Sequence, residues 1–321
     1  MQSIVDELCE ALSAVGFSPK RNESMACHTT FSIGGEADIF LSLGRESDLL
    51  KALNVIERFD VEVFLLGGGS NILVGDGGIR GIVLKDESKG VELQSGRVKI
   101  DSGHSLSTVV EDLCNDGIGG LEFLAGIPGT LGGAICGNAG AYGIDISQRL
   151  HSIRILRKGA IDEVPPEALE YSYRSSRLKK QGLQGPLRLP EMIVLSAILD
   201  INENPRNDPK AELREILDHR RNRLPPWELP CAGSYFKNLP APSKGERRIA
   251  AGKLLDEVGA KELSVGAARV YEKHANIIVN GGGAKAWQVL ALAEEMAERV
   301  KREFSVDLEA EVMTIGHLQQ S

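Results

Sequence analysis

Twenty of the chain's 36 glycines fall between Gly67 and Gly143. Average usage would give 321 residues about 23 glycines, so the surplus belongs to one stretch and not to the whole chain. No Gly-X-Y period runs through it, which excludes a collagen-like helix. Such a segment serves where backbone must approach other backbone, or a ligand, closely. One run, Gly67-Gly68-Gly69-Ser70-Asn71, directly follows the apolar VEVFLL. Consecutive backbone N–H groups in turn conformations make an anion-binding concavity. There is neither a G-x-G-x-x-G fingerprint nor a P-loop, and a plain strand-end turn would use the same residues. The other run is Gly126-Ile127-Pro128-Gly129-Thr130-Leu131-Gly132-Gly133-Ala134, continuing past Gly140 to Gly143. It is too long and too poor in side chains for an ordinary connection. Two such loops suit a long cofactor bridged by a diphosphate, and a dinucleotide is the natural expectation.

Phe123 to Ile144 carries no charge and could be mistaken for a membrane span. Seven glycines and Pro128 make it a poor helix with little apolar side chain to favour lipid. A buried, ligand-facing loop is expected instead. The net charge of −8 gives no field that would draw the chain to nucleic acid or to anionic lipid, so an anionic ligand needs a local cluster of cations. The five cysteines are odd in number and form no C-x-x-C pair, and the histidines show no H-x-x-x-H spacing. Reduced thiols, a cytoplasmic location and no metal are expected.

Along the chain, amphipathic helices are expected near Ile4–Val15, Glu46–Arg58, Ser107–Asp116, Ala211–Arg223, Ala250–Val258 and Val289–Phe304. Strands are expected at Ala37–Leu43, Val61–Leu66, Ile82–Leu84, Val91–Leu93, Val98–Ile100, Leu150–Leu156, Met192–Ile201, Val265–Val270, Ile277–Val279 and Val306–Ile315. The mixture reads as α+β, without the regular alternation of a doubly wound sheet. A polar, proline-bearing stretch, Asn202–Pro209, marks a domain boundary.

Three further segments could carry chemistry. In Tyr171-Ser-Tyr173-Arg174-Ser-Ser176 an arginine between tyrosines offers a fixed fork for a carboxylate or phosphate, or it is a surface strand residue. Cys231-Ala-Gly-Ser234-Tyr-Phe-Lys237-Asn238 puts a hydroxyl, an ammonium and an amide in one short run; no G-x-S-x-G surrounds Ser234, and a simple turn would also fit. In Leu308-Glu309-Ala-Glu311-Val312, read as a strand, both carboxylates point one way, toward solvent or toward a site.

These motifs, with Thr29-Thr30-Phe31-Ser-Ile-Gly34-Gly35 and Lys273-His274-Ala275-Asn276-Ile277, resemble the UDP-N-acetylenolpyruvoylglucosamine reductase (MurB) family, in the family's order from about Thr29 to Gly316. The resemblance implies an FAD-binding fold of the vanillyl-alcohol oxidase/p-cresol methylhydroxylase type plus a C-terminal α+β substrate-binding domain. The expected segments are 1–80 and 81–205 for FAD, 206–305 for substrate, and 306–321 returning to the active site. It implies non-covalent FAD on Gly67, Gly68, Gly69, Ser70, Asn71, Gly126, Ile127, Pro128, Gly129, Thr130, Gly132, Gly133, Ala134 and Gly140. It further implies NADPH as reductant and a UDP-sugar substrate contacted by Tyr173, Lys237 and Asn238. By the same resemblance Ser234 gives a proton to C2 of the enolpyruvyl group, while Arg174 and Glu311 support the enediolate. A monomer or weak homodimer is expected. Departures from the family's pattern are His28 before Thr29, Leu239-Pro240 after Asn238, Met313 after the glutamates, and too short a stretch before Met192 for the tyrosine-bearing insertion of one subclass. The rival readings are another FAD oxidoreductase of the same fold, with Cys136 or His104 as covalent flavin anchors, and a binding protein without turnover.

Overall fold

The structure, a computed structural model, describes residues 2–182, 191–243 and 245–318. The short stretch before Met192 therefore lies largely outside the described residues. The chain divides into two compact units that are not serial. The first comprises Met1–Arg21, Asp38–Gly68 and Gly81–Arg220; the second comprises Asn22–Ala37, Gly69–Arg80 and Arg221–Ser321. This grouping differs from the expected segments 1–80, 81–205, 206–305 and 306–321. The helix Pro209–Arg223, expected to open the substrate domain, buries Leu213 in the core of the first unit.

In the first unit, strands run in the order Glu36–Leu43, Ile79–Asp86, Val63–Leu66, the last two in parallel register. Helices α1 (Gln2–Ala14) and α2 (Glu46–Ile56) share a core with this sheet. Leu8 and Leu12, one turn apart on α1, are fully buried there, each contributing about 1.5–3 kcal/mol of transfer free energy. A second, antiparallel sheet has the order Ala160–Val164, Leu150–Arg157, Met192–Asp200, Arg97–Asp101, Val91–Gln94. Its central strand, MIVLSAILD, does not alternate because both faces are covered. Ile193 and Leu195 enter the core shared with α1 and α2, whereas Met192, Val194, Ala197 and Leu199 enter the core under α3 (Leu106–Asn115).

The charge-free stretch Phe123–Ile144 is not one loop. It holds a 3-10 turn at Glu122–Leu124, helix α4 (Leu131–Gly137), and a tight hairpin joining Gly140–Ala141 to Ile144–Asp145. Tyr142 and Gly143, at φ 55° and 85°, form its two-residue turn. Glycine's poor helix propensity is overridden in α4 by tertiary contacts. Leu131, Ala134 and Ile135 are buried, Thr130 caps the first turn, and the Leu131 and Gly132 amides donate to the His104 and Ser102 carbonyls at 3.0 and 2.8 Å.

In the second unit an antiparallel sheet has the order Cys231–Ser234, His274–Asn280, Ala268–Tyr271, Ser264–Val265. The expected strand Val265–Val270 is thus a hairpin turning at Gly266, where φ is +57°. The expected strand Val306–Ile315 shortens to Met313–Ile315, parallel to Ile72–Val74; before it, Ala310 forms a single bridge with Phe236. The long helix Ala286–Phe304 buries Val289, Leu292, Met296 and Val300. Its first amides, on Ala286 and Trp287, donate to the two carboxylate oxygens of Asp76 at 3.0 and 3.1 Å. A carboxylate there satisfies orphan donors and opposes the positive end of the helix dipole. We expect Asp76→Ala to lower stability by about 1–2 kcal/mol in urea unfolding; a change within about 0.5 kcal/mol, the scatter for a neutral surface site, would remove the assignment.

Candidate active site

In the first unit the two glycine loops meet. A Cβ on Gly67 would stand 2.5 Å from Thr130 Oγ1, and one on Gly68 would stand 2.7 Å from Gly129 Cα. These two glycines therefore serve loop-to-loop packing, a different need from the approach of a phosphate alone. Gly126 (φ +66°) similarly admits Arg220, whose Cδ would lie 2.9 Å from its Cβ, and Gly140 admits the backbone at Ile144 and Asp145. Ile127 and Ala134 turn to the core, while Pro128 and Gly133 are exposed.

The segment 171–176 is a tight turn and not a strand: Ser172 and Ser175 bridge across it, and Arg174 has φ +54°. Left-handed backbone at a non-glycine residue is uncommon, and here it is held from several sides. Arg174 donates through Nη1 to the Asn138 carbonyl at 3.3 Å and through Nη2 to the Gly140 carbonyl at 2.6 Å. Its guanidinium lies 5.4 Å from the centre of the Tyr173 ring. Asn138 Nδ2 donates to the Ser172 carbonyl at 3.0 Å, and the Ser176 hydroxyl donates to the Cys136 carbonyl at 2.6 Å. The turn is thus fastened to the C-terminal end of α4, where a cation is favoured. Burial pushes the Cys136 thiol up to about 11, against the opposing pull of Lys179, so the thiolate needed for covalent flavin attachment is disfavoured.

In the second unit, Gly69 (φ +63°) leaves room for the His28 carbonyl, which would sit 2.1 Å from a Cβ. His28 itself pairs with Glu23 at 2.9 Å. Asn71 faces the C-terminal segment: its Nδ2 donates to the Glu311 carbonyl at 3.2 Å, and its own carbonyl accepts from the Met313 amide at 3.1 Å. The Glu311 amide donates to the Tyr235 carbonyl at 2.7 Å, and the Lys237 amide to the Glu309 carbonyl at 2.8 Å. Ser234, half-buried, ends its strand opposite Ile277, after a register shift at Gly233, where φ is +74°. Asn71 of the first loop, the serine segment and the glutamate segment are therefore one hydrogen-bonded assembly.

Within it the side chains have distinct environments. Burial pushes the Tyr235 phenol up to about 12, so it keeps its proton. Lys237 Nζ is held by Glu309 at 2.5 Å; an ammonium has three donors, so a phosphate could share it. Asn238 Oδ1 accepts from the Ala251 amide at 3.2 Å, and its carbonyl accepts from Arg248, so much of this residue is committed to starting the helix Ala251–Glu257. After it, Leu239 bridges to Ile249, closing the turn that Leu239-Pro240 put in question.

Sequence reasoning assigns no role to two residues. Arg220 lies under Gly126 with its Nε buried and unpartnered among the described residues; burial, and then Arg174, lower its pKa. Asn276, 2% exposed, bonds the serine segment. An arginine in a charge-rich helix gives no signal without the fold; Asn276 lies in the Lys273–Ile277 motif, but only the fold shows what its side chain bonds.

The residues present fit an FAD diphosphate. Bare backbone converges where Gly67 and Gly68 meet Gly129 and Thr130. Exposed Gly133 in the first turn of α4 has no neighbour nearer to a Cβ than 3.6 Å, so no side chain blocks a phosphate. Among the described residues no helix is long and apolar enough to cross a membrane.

Residues 37–159 match the family model of an FAD binding domain, and residues 225–315 match that of the UDP-N-acetylenolpyruvoylglucosamine reductase C-terminal domain. The chain is 36% identical over 319 residues to the UDP-N-acetylenolpyruvoylglucosamine reductase of Anoxybacillus flavithermus, covering 98% of this chain and 99% of that one. It is 35% identical to the enzyme of that name from Bacillus subtilis over the same shares of the two chains. Among solved structures, the reductase (MurB) from Thermus caldophilus superposes with a TM-score of 0.74 at 28% identity, covering 93% of this chain and 99% of that chain. The α+β fold and the FAD-dependent chemistry expected from the motifs are thus both met, and the chain belongs to the UDP-N-acetylenolpyruvoylglucosamine reductase family.

Proposed function

We infer that this chain reduces the enolpyruvyl ether of UDP-N-acetylenolpyruvoylglucosamine to the lactyl ether of UDP-N-acetylmuramate, a peptidoglycan precursor, with NADPH as the source of electrons. FAD, when bound, supplies hydride transfer from NADPH to C3 of the enolpyruvyl group. We assign FAD to the segments 1–80 and 81–205, and the sugar nucleotide to 206–305 with the C-terminal 306–321. FAD contacts fall to Gly67 through Asn71, to Gly126 through Thr130, and to Gly132, Gly133, Ala134 and Gly140.

Addition of hydride at C3 leaves negative charge at C2, delocalised into the neighbouring carboxylate. We assign its stabilisation to Arg174 and Glu311, because preorganised charge and hydrogen bonding at developing charge supply the largest share of most catalysis. Ser234 then gives its hydroxyl proton to C2, which is basic enough to take it from an alcohol. Lys237, Asn238 and Tyr173 hold the sugar nucleotide. The observation that carries this reading is the Asn71–Glu311–Tyr235 network, which ties the serine and the glutamate of the proposed proton transfer into one assembly. A flavin oxidase, or a binding protein without turnover, would have no need of Arg174, Ser234 and Glu311 together.

The purified protein should be yellow and should release FAD on acid denaturation. Its flavin, bleached by NADPH without oxygen, should regain its colour on adding UDP-N-acetylenolpyruvoylglucosamine. A colourless folded protein, or a reduced flavin that only oxygen reoxidises, would overturn the reading.

A further inference from the structure

The strand Cys231–Ser234 leaves its partner His274–Asn280 after the Ser234–Ile277 pair. The following residues turn to the other side, where Tyr235 and Lys237 bond with Glu311 and Glu309. Such a branch point ordinarily strands the peptide groups that have left the ladder, and buried peptide groups need partners. Asn276 supplies them. Its Oδ1 accepts from the Phe236 amide at 2.9 Å, its Nδ2 donates to the Phe236 carbonyl at 2.8 Å, and its own carbonyl accepts from the Tyr235 amide at 2.7 Å. One side-chain amide thus stands in for a strand partner on one edge, while the glutamate segment occupies the other. Phe236 and Asn276 are 4% and 2% exposed, so water cannot take over these bonds. A mere space-filler at this position would be apolar, like Ile277 to Val279 beside it.

We propose that Asn276 is the positioning residue for the proton donor: by clamping both the N–H and the carbonyl of Phe236, it fixes the Ser234 hydroxyl relative to Glu311. The proposal rests on the proton-transfer role assigned to Ser234 above. Asn276 acts through the backbone and touches no reacting atom. Its loss should therefore slow the step that needs the Ser234 proton and leave the other half of the reaction alone.

The test is a double-mutant cycle on the FAD-loaded enzyme, comparing the unaltered chain, Asn276→Ala, Ser234→Ala and the double variant. Stopped-flow absorbance gives flavin reduction by NADPH and, separately, reoxidation by UDP-N-acetylenolpyruvoylglucosamine. With Ser234 present, Asn276→Ala should slow reoxidation on the order of 10- to 100-fold, the scale of an ångström's misplacement. Reduction should stay within about twofold, and the solvent deuterium isotope effect on reoxidation should rise. With Ser234 already replaced, Asn276→Ala should cost nothing further. Equal slowing in both backgrounds, or reduction and reoxidation falling in parallel, would overturn the proposal. If Asn276→Ala yields no folded flavoprotein, Asn276→Ser goes through the same cycle, where slowing confined to reoxidation with Ser234 present supports the proposal and equal or parallel slowing overturns it. An unaltered chain whose reduced flavin the substrate does not reoxidise would overturn the parent reading, and this proposal with it; a normal unaltered chain with parallel losses overturns this proposal alone.

Discussion

Ser234→Ala should leave flavin reduction by NADPH within a few-fold of the unaltered enzyme, while reoxidation by UDP-N-acetylenolpyruvoylglucosamine falls by on the order of 10²- to 10⁴-fold, the usual worth of a positioned general acid. The substitution removes one oxygen from a half-buried position at a strand end and leaves the backbone bonds of Tyr235, Glu311 and Lys237 in place. Stability should change by less than about 1 kcal/mol, so a loss of rate cannot be charged to unfolding. The neighbouring acids are poor substitutes. Burial keeps the Tyr235 phenol near 12, and it lies in edge-to-face contact with Phe236, the ring centres 5.1 Å apart. Reoxidation surviving within a few-fold would show that the proton comes from elsewhere.

Arg174→Lys should lower the substrate-dependent reoxidation by about 10²- to 10³-fold, mainly in kcat, as expected for loss of a preorganised donor at developing charge. Lysine keeps the charge but not the planar fork, and the fork is what reaches the Asn138 and Gly140 carbonyls together. An ammonium would leave one of those carbonyls without this donor and let the strained turn at φ +54° relax. Arg174→Ala, with exogenous guanidinium added, separates the two roles. Partial return of activity would show that the cation acts on substrate, whereas no return combined with lowered thermal stability would reduce Arg174 to a fastener of the turn.

The glycine loops show how far the residues could be read in order. Their density marked a region of bare backbone, and the match of residues 37–159 to an FAD binding domain agrees with that reading. The reason attached to individual glycines shifted, however. Gly67 and Gly68 are bare because Gly129 and Thr130 lie against them, and Gly69 because of the His28 carbonyl. These are contacts between segments far apart in the chain, which local spacing does not encode. The same holds for α4: composition argued for a loop, and buried Leu131 and Ile135 made it a helix. Arg174 and Ser234 stood out as residue types, yet the left-handed turn under the one and the branched ladder under the other are tertiary features. Glu309 and Glu311 looked equivalent in a strand; both are backbone-bonded to the serine segment, but the carboxylate of the first also holds Lys237.

By itself the sequence determined which chemical groups the chain carries, the order of its elements, and, through ordered motifs, the family to which it belongs. These are properties of local residue type and spacing. The tertiary structure decided which of those groups share a backbone network, which glycines serve packing and which leave a surface bare, and that Asn276 holds the serine segment. Such assignments depend on the pairing of buried peptide groups across distant parts of the chain, and a peptide group's need for a partner is the same at every position in the sequence.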